Sequence, residues 1–265
     1  MIISDRHRFA FVHIPKCAGM SLRTALSRYD DTAGRYDRRL DDHPAYGRLD
    51  YTHLPLDLLA EIEPDDYGRL VRYAAFAVVR DPMERFQSAL NQRAKMYLGT
   101  ELSRLETAEL HAEIDRAIAY LAEEPRVPAP EHVHFTRQAA FIRHGGRQVV
   151  EHVFALERLG DLVAALERVI GAPLGEVGRI NRTWVFRHPA LREPVRIAGW
   201  LARSLLPTST AERLRVAARA TLLEPLDHRL LPAFGAQGVR DFVDGHYAED
   251  KALHRTALYG RVAVK

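Results

Sequence analysis

The 265-residue chain is poor in cysteine: Cys17 stands alone. A single thiol excludes an internal disulfide framework and any zinc site built on several thiolates, and it suits a reducing cytosol. No apolar run approaches membrane-spanning length, and residues 1–8, MIISDRHR, do not read as a signal peptide. The sequence therefore predicts a cytoplasmic protein with no membrane anchor. Strong charge of one sign is missing too: 38 Lys and Arg against 35 Asp and Glu leave a net +3. That is too little to argue for a nucleic-acid partner, so any electropositive site must be local. The 13 histidines contain no H-E-x-x-H or comparable ligand spacing, and no metal centre is expected. Internal repeats and low-complexity tracts are absent as well.

What remains is an ordinary globular composition, 47% hydrophobic and 28% charged, in a chain long enough to bury a sizeable core. The one plausible hinge, EEPRVPAPE at Glu123 to Glu131, is short enough to be a loop, so a single domain over residues 1–265 is expected. Apolar runs at 9–14, 73–79 and 151–157 read as strands. Helical patterns follow them, among them a face of Leu110, Ile114, Ile118 and Leu121, and a helix closed by Gly171. Strands alternating with helices predict an α/β fold with a parallel sheet covered on both faces and ligands at the strands' carboxyl ends.

Two stretches sit at such ends. In FVHIPKCAGMSLRT, a strand stopped by Pro15 runs through a tight loop into a helix whose apolar positions are Leu22, Ala25, Leu26 and Tyr29. A strand, a tight loop and a helix start make an anion site, because they aim free N–H groups and the positive end of the helix dipole at one place. The Walker pattern fails, since Lys16 precedes Gly19. Two other patterns fit. Cys17 to Thr24 reads C-x-G-x-x-x-R-[ST], which resembles the phosphate loop of low-molecular-weight protein tyrosine phosphatases, with Cys17 as nucleophile and Arg23 as clamp. Ile14 to Leu22 reads I-P-K-x-A-G-x-S-L, which resembles the 5′-phosphosulfate loop of sulfotransferases that use 3′-phosphoadenosine-5′-phosphosulfate (PAPS). An ordinary strand-to-helix turn would present the same residues.

The second stretch, AVVRDPMERFQSAL, leads a buried strand into Arg80, with Asp81 as a helix cap and Pro82 at the first helical position. Ser88 follows about two turns later on the same face. V-R-D-P-x-x-R-x-x-S resembles the 3′-phosphate motif of the same sulfotransferases, with Arg80 and Ser88 as phosphate ligands. The Asp81-Pro82 pair also keeps the phosphatase reading open. With both motifs in order, the chain resembles the carbohydrate type of PAPS-dependent sulfotransferase, in particular the heparan-sulfate 2-O-sulfotransferase-like group.

That resemblance implies a P-loop-like three-layer fold with a central parallel sheet flanked by helices. It also implies metal-independent transfer of a sulfuryl group from PAPS, leaving adenosine 3′,5′-bisphosphate (PAP), to an acceptor hydroxyl on a glycan or glycolipid. The donor-binding residues it implies are Lys16, Cys17, Ala18, Gly19, Met20, Ser21 and Leu22, with Arg80 and Ser88. Arg182 and Thr183 join them from RINRTWVF, which resembles a late loop over the adenosine end. Lys16 is then catalytic, neutralising the leaving oxygen. LDYTHLP aligns with the group's G-H-x segment and nominates His53 as the base, although Thr52 replaces the glycine. HVHFTRQAAFI resembles its H-F-x-x-Q segment and puts His134, Arg137 and Gln138 at the acceptor or cofactor wall. HYAEDKALHR resembles its closing Y-x-x-D helix. A nucleotide-binding module that transfers nothing is the remaining alternative.

Overall fold

The computed structural model describes residues 1–37, 40–175, 184–186, 223–225 and 227–260. In chain order the elements are β1 (Ile2–Ser4), β2 (Phe9–Val12), α1 (Gly19–Leu26), a hairpin of β3 (Asp41–His43) and β4 (Gly47–Leu49), α2 (Leu56–Ile62) and α3 (Pro64–Arg72). Next come β5 (Ala74–Val79), α4 (Pro82–Arg93), α5 (Thr107–Ala122), a small hairpin of β6 (Arg143–His144) and β7 (Arg147–Gln148), β8 (His152–Ala155) and α6 (Leu159–Ile170). β9 (Trp184–Phe186), β10 (Leu223–Pro225), α7 (Asp227–Phe234), α8 (Gln237–His246) and α9 (Ala248–Tyr259) complete them.

The main sheet has the order β1-β2-β5-β8. β2 pairs in parallel with β5, Phe9 opposite Ala74, and β5 pairs in parallel with β8, Phe76 opposite His152. All four residues of β2 and the last five of β5 are buried, as expected of parallel strands covered on both faces by helices. One departure is the edge. β1 runs antiparallel to β2, Ile2 opposite Phe11, where a parallel sheet was predicted. Three residues are too few to show a period, and a tight turn with Arg8 at φ 50° makes the reversal local.

Because β2, β5 and β8 point the same way, their carboxyl ends open on one edge, where His13, Arg80 and Leu156 follow. α6 ends as predicted at Gly171, left-handed with φ 75°, whose N–H donates to the Glu167 carbonyl. A second apolar cluster joins α4, α5, α7 and α8 through Phe86, Leu110, Ile114, Phe234 and Val243, with Phe135 and Tyr247 from the adjoining loops. The proline-rich stretch is a loop tied down along its second half: Val127 packs on the sheet's core, and the Ala129 N–H donates to the Tyr120 hydroxyl over 2.7 Å. Among the described residues no helix is long and apolar enough to cross a membrane.

Candidate active site

Between β2 and α1 the chain turns back on itself with Lys16 at φ 65° and Ala18 at φ 59°. Two non-glycine residues in the left-handed region cost about 1–3 kcal/mol each, a strain that persists only where surroundings enforce it and that clusters at ligand sites. Ala18 is the N-cap of α1 and has no side chain to cap it, and the first turn holds no acid. The N–H groups of that turn are thus left for an anion. Gly19 is forced by a neighbour: a Cβ there would lie 1.8 Å from His13 Cδ2 and 2.1 Å from His13 Nε2. The His13 ring therefore lies directly against the helix start.

The second motif forms as its residues dictate. Asp81 caps α4 by accepting from the Glu84 N–H over 3.1 Å, with Pro82 opening the helix. Arg80, which follows β5, pairs with Glu84 at 3.0 Å. Lys16 Nζ donates to Gln92 Oε1 over 3.0 Å, one turn beyond Ser88, which links the two motifs across the cleft.

Gln138 links them a second time. Its Oε1 accepts from the Arg80 N–H at 2.8 Å and from Cys17 Sγ at 3.3 Å, and its Nε2 donates to the Arg80 carbonyl at 2.9 Å. A carboxamide thus extends β5 by one residue, as a strand partner would. Gln138 is held in turn by buried Asp250 of α9, whose carboxylate accepts from the Gln138 and Ala139 N–H groups at 2.8 and 2.9 Å. Tyr247 donates to the Phe135 carbonyl over 2.7 Å. Tyr247 and Asp250, the Y-x-x-D pair, therefore position the loop that carries His134. Arg137 donates to the His246 carbonyl over 2.9 Å and pairs with Glu124. Neither Arg137 nor Gln138, both expected at the acceptor or cofactor wall, is among the residues that line the cleft.

Cys17 is 1% exposed, and burial pushes its thiol up to about 12. It is a protonated donor to Gln138 and no thiolate. Arg23, the proposed phosphatase clamp, instead pairs with Asp37. The phosphatase reading fails on both residues, since that chemistry needs an acidified, accessible thiol.

The opposite wall is a group of imidazoles. Asp50 Oδ1 accepts from the Thr52 N–H and its Oδ2 meets His53 Nδ1, both at 3.0 Å. The His53 ring lies 4.7 Å from that of His13 and 5.2 Å from that of His134, centre to centre. Burial lowers the pKa of His53, with the Asp50 hydrogen bond opposing it. It lowers His13 further, with His53 adding to the effect. All of this opens on one cleft of about 990 Å³, whose lining includes Lys16, Ala18, Gly19, Arg80, Ser88 and Gln92 together with His13, His53 and His134. Donor atoms of Asp50, His53 and His134 lie within 4.8 Å of one another, close enough to hold a cation; no ligand spacing in the sequence announced this.

The cleft thus brings together Lys16, Ala18, Gly19, His53, Arg80, Ser88 and His134, while Cys17 and Leu22 are buried behind it. Arg182, Thr183 and the side chains of Met20 and Ser21 lie outside the described residues. Sequence reasoning missed His13, Gln92 and the partnership of Asp50 with His53. The i, i+3 spacing of an acid and a histidine was the only local signal of the last.

A family model described as "Sulfotransferase family" matches residues 1–187. Carbohydrate sulfotransferase 14 of Mus musculus is 34% identical over 95 residues, 35% of this chain and 23% of that protein. The chain thus aligns with less than a quarter of that relative's length. No solved structure gives a significant match.

Proposed function

We propose that this chain, which belongs to the sulfotransferase family, moves a sulfuryl group from PAPS to a hydroxyl of a carbohydrate. The observation that carries the reading is the juxtaposition, in one cleft, of an uncapped helix start with Lys16, a second cationic site at Arg80 and Ser88, and the Asp50–His53 pair. The residues fit the donor. Two phosphate groups need two cationic sites, and the helix start beside Lys16 carries no side-chain cap. PAPS supplies an activated sulfuryl group on a phosphate leaving group.

The protein's own part is positioning and charge stabilisation, as in phosphoryl transfer. The N–H groups of α1's first turn hold the 5′-phosphate, and Arg80 and Ser88 hold the 3′-phosphate. Lys16 neutralises the oxygen that takes up charge as its bond to sulfur breaks. His53 accepts the acceptor's proton as the new oxygen–sulfur bond forms. Similarity to a carbohydrate sulfotransferase supports a sugar hydroxyl as acceptor.

Calorimetry tests the donor site. PAP should bind at least about tenfold more tightly than AMP, and Arg80→Ala should remove most of that preference, because charge-assisted contacts to phosphate are the strong ones. Equal affinities in the wild type would overturn the assignment. Labelled sulfate transfer over a panel of acceptors tests the reaction. It should survive a chelator; activity lost to chelation and restored by a metal would make the histidine group a metal centre instead.

A further inference from the structure

We propose that Asp50 is a positioning residue for this transfer, holding His53 in the one tautomer and ring orientation that can take a proton from the acceptor. The inference rests on the sulfuryl-transfer reading. Asp50 is 5% exposed and is not among the residues lining the cleft, whereas His53 is. An acid behind the histidine cannot reach the acceptor and acts only through the ring. Its two oxygens do different things. Oδ1 accepts from the Thr52 N–H and caps the short 3-10 turn Tyr51–His53, which fixes the backbone beneath the ring. Oδ2 lies 3.0 Å from His53 Nδ1.

A carboxylate can only accept, so Nδ1 must carry the hydrogen and Nε2 the lone pair. The need for such a lock is visible in the packing. A histidine ring has two flipped orientations of similar shape, and the neighbours of His53 are themselves imidazoles at 4.7 and 5.2 Å, which discriminate poorly between them. Asp50 discriminates, because only one orientation offers it Nδ1–H. In the step itself the acceptor's O–H proton moves to Nε2 and its oxygen forms the bond to sulfur. The bond from sulfur to the donor's bridging oxygen breaks, and its electron pair leaves on PAP. His53 ends as an imidazolium hydrogen-bonded to the Asp50 carboxylate, and its proton returns to solvent after release.

The test is Asp50→Asn, which keeps shape and leaves the amide oxygen free to cap Thr52. Its NH2 then faces His53 Nδ1 and can only donate, which drives the hydrogen to Nε2. kcat should fall about a hundredfold or more, as expected for a base held in the wrong tautomer, with PAP affinity changed by less than about threefold. Nitrogen-15 spectra of His53 should show Nδ1–H in the wild type and Nε2–H in the variant. A variant within about threefold of wild-type kcat, or one that loses PAP binding in parallel with turnover, would overturn the positioning role. Should the variant fail to fold, the wild-type spectrum still decides, because Nε2–H there contradicts the proposed geometry. A wild type that binds PAP and transfers to no acceptor would instead overturn the underlying reaction.

Discussion

The two walls of the cleft solve opposite electrostatic problems. The wall proposed to bind the donor, here the donor wall, is cationic and built from two short stretches: Lys16, Ala18 and Gly19 from one strand-to-helix turn, Arg80 and Ser88 from another. Within it Arg80 pairs with Glu84 and Lys16 donates to Gln92. The opposite wall is buried, and its His13, His53 and His134 come from three separate segments. Burial lowers the pKa of His53 and lowers that of His13 further, which favours the uncharged imidazole in both. The proposed transfer, in which charge leaves at one group of residues and a proton is received at the other, would use this division. Adding charge to the histidine wall, or removing it from the lysine wall, should each damage the reaction in its own way.

The largest effect should come from the cationic wall. Lys16→Ala should cost turnover about 3 kcal/mol of transition-state stabilisation, a loss comparable to removing one oxyanion donor. The Gln92 carboxamide that now accepts from Lys16 would lose its partner but remains at the cleft, where water can reach it. Folding should therefore be little affected, which thermal unfolding checks. Steady-state rates with saturating PAPS would show the loss in kcat. A loss confined to KM would mean that Lys16 merely binds, and that the two walls do not divide the chemistry as described.

The donor wall was largely legible in the sequence because each of its motifs is local. A strand, a Pro stop, a lysine and a glycine before an apolar helix face specify a loop within about a dozen residues, and Asp81-Pro82 announces the start of α4 by the chemistry of its cap. The parallel core of the sheet was legible for the same reason, since β2 and β5 are unbroken apolar runs. β1 was not, being three residues long. The histidine wall resisted because its distances are tertiary: His13, His53 and His134 meet only after β2, the turn following β4 and the loop following α5 are brought together. Gln138 and Arg137 show the same limit from the other side. Adjacent in a motif, they point to different partners, and only the placement of α8 and α9 reveals which.

A smaller effect should show that the walls touch at one point. Gly19 has no left-handed φ, so alanine there is objectionable only for its Cβ, which would lie 1.8 Å from the His13 ring. Gly19→Ala should shift either the helix start or the imidazole and weaken PAP binding about tenfold. Removing the ring should undo this: Gly19→Ala combined with His13→Ala should bind PAP more tightly than Gly19→Ala alone. Contacting residues commonly couple by about 0.5–3 kcal/mol, so the cycle is measurable by calorimetry. Additive losses would mean that the walls are independent.

The smallest effect should come from Cys17, which lies in the donor loop by sequence yet faces the core. Its Sγ donates to Gln138 Oε1 at 3.3 Å and approaches the Pro15 carbonyl at 3.6 Å, so a serine hydroxyl would find acceptors already in place. The smaller oxygen leaves a slight gap and buries a more polar group, but a hydrogen-bonded hydroxyl costs little. Cys17→Ser should therefore keep sulfate transfer within about threefold and lower stability by about 1 kcal/mol or less. The same variant separates the two chemistries that share this loop, because a phosphatase would form its covalent intermediate on this atom and lose all activity. Burial pushes the thiol up to about 12, so at neutral pH the required thiolate is scarcely populated. The wild type should accordingly hydrolyse no p-nitrophenyl phosphate. Hydrolysis that is present in the wild type and disappears with Cys17→Ser would mean that the sulfur is reached by substrate after all, and that Cys17 belongs to the working face of the donor wall.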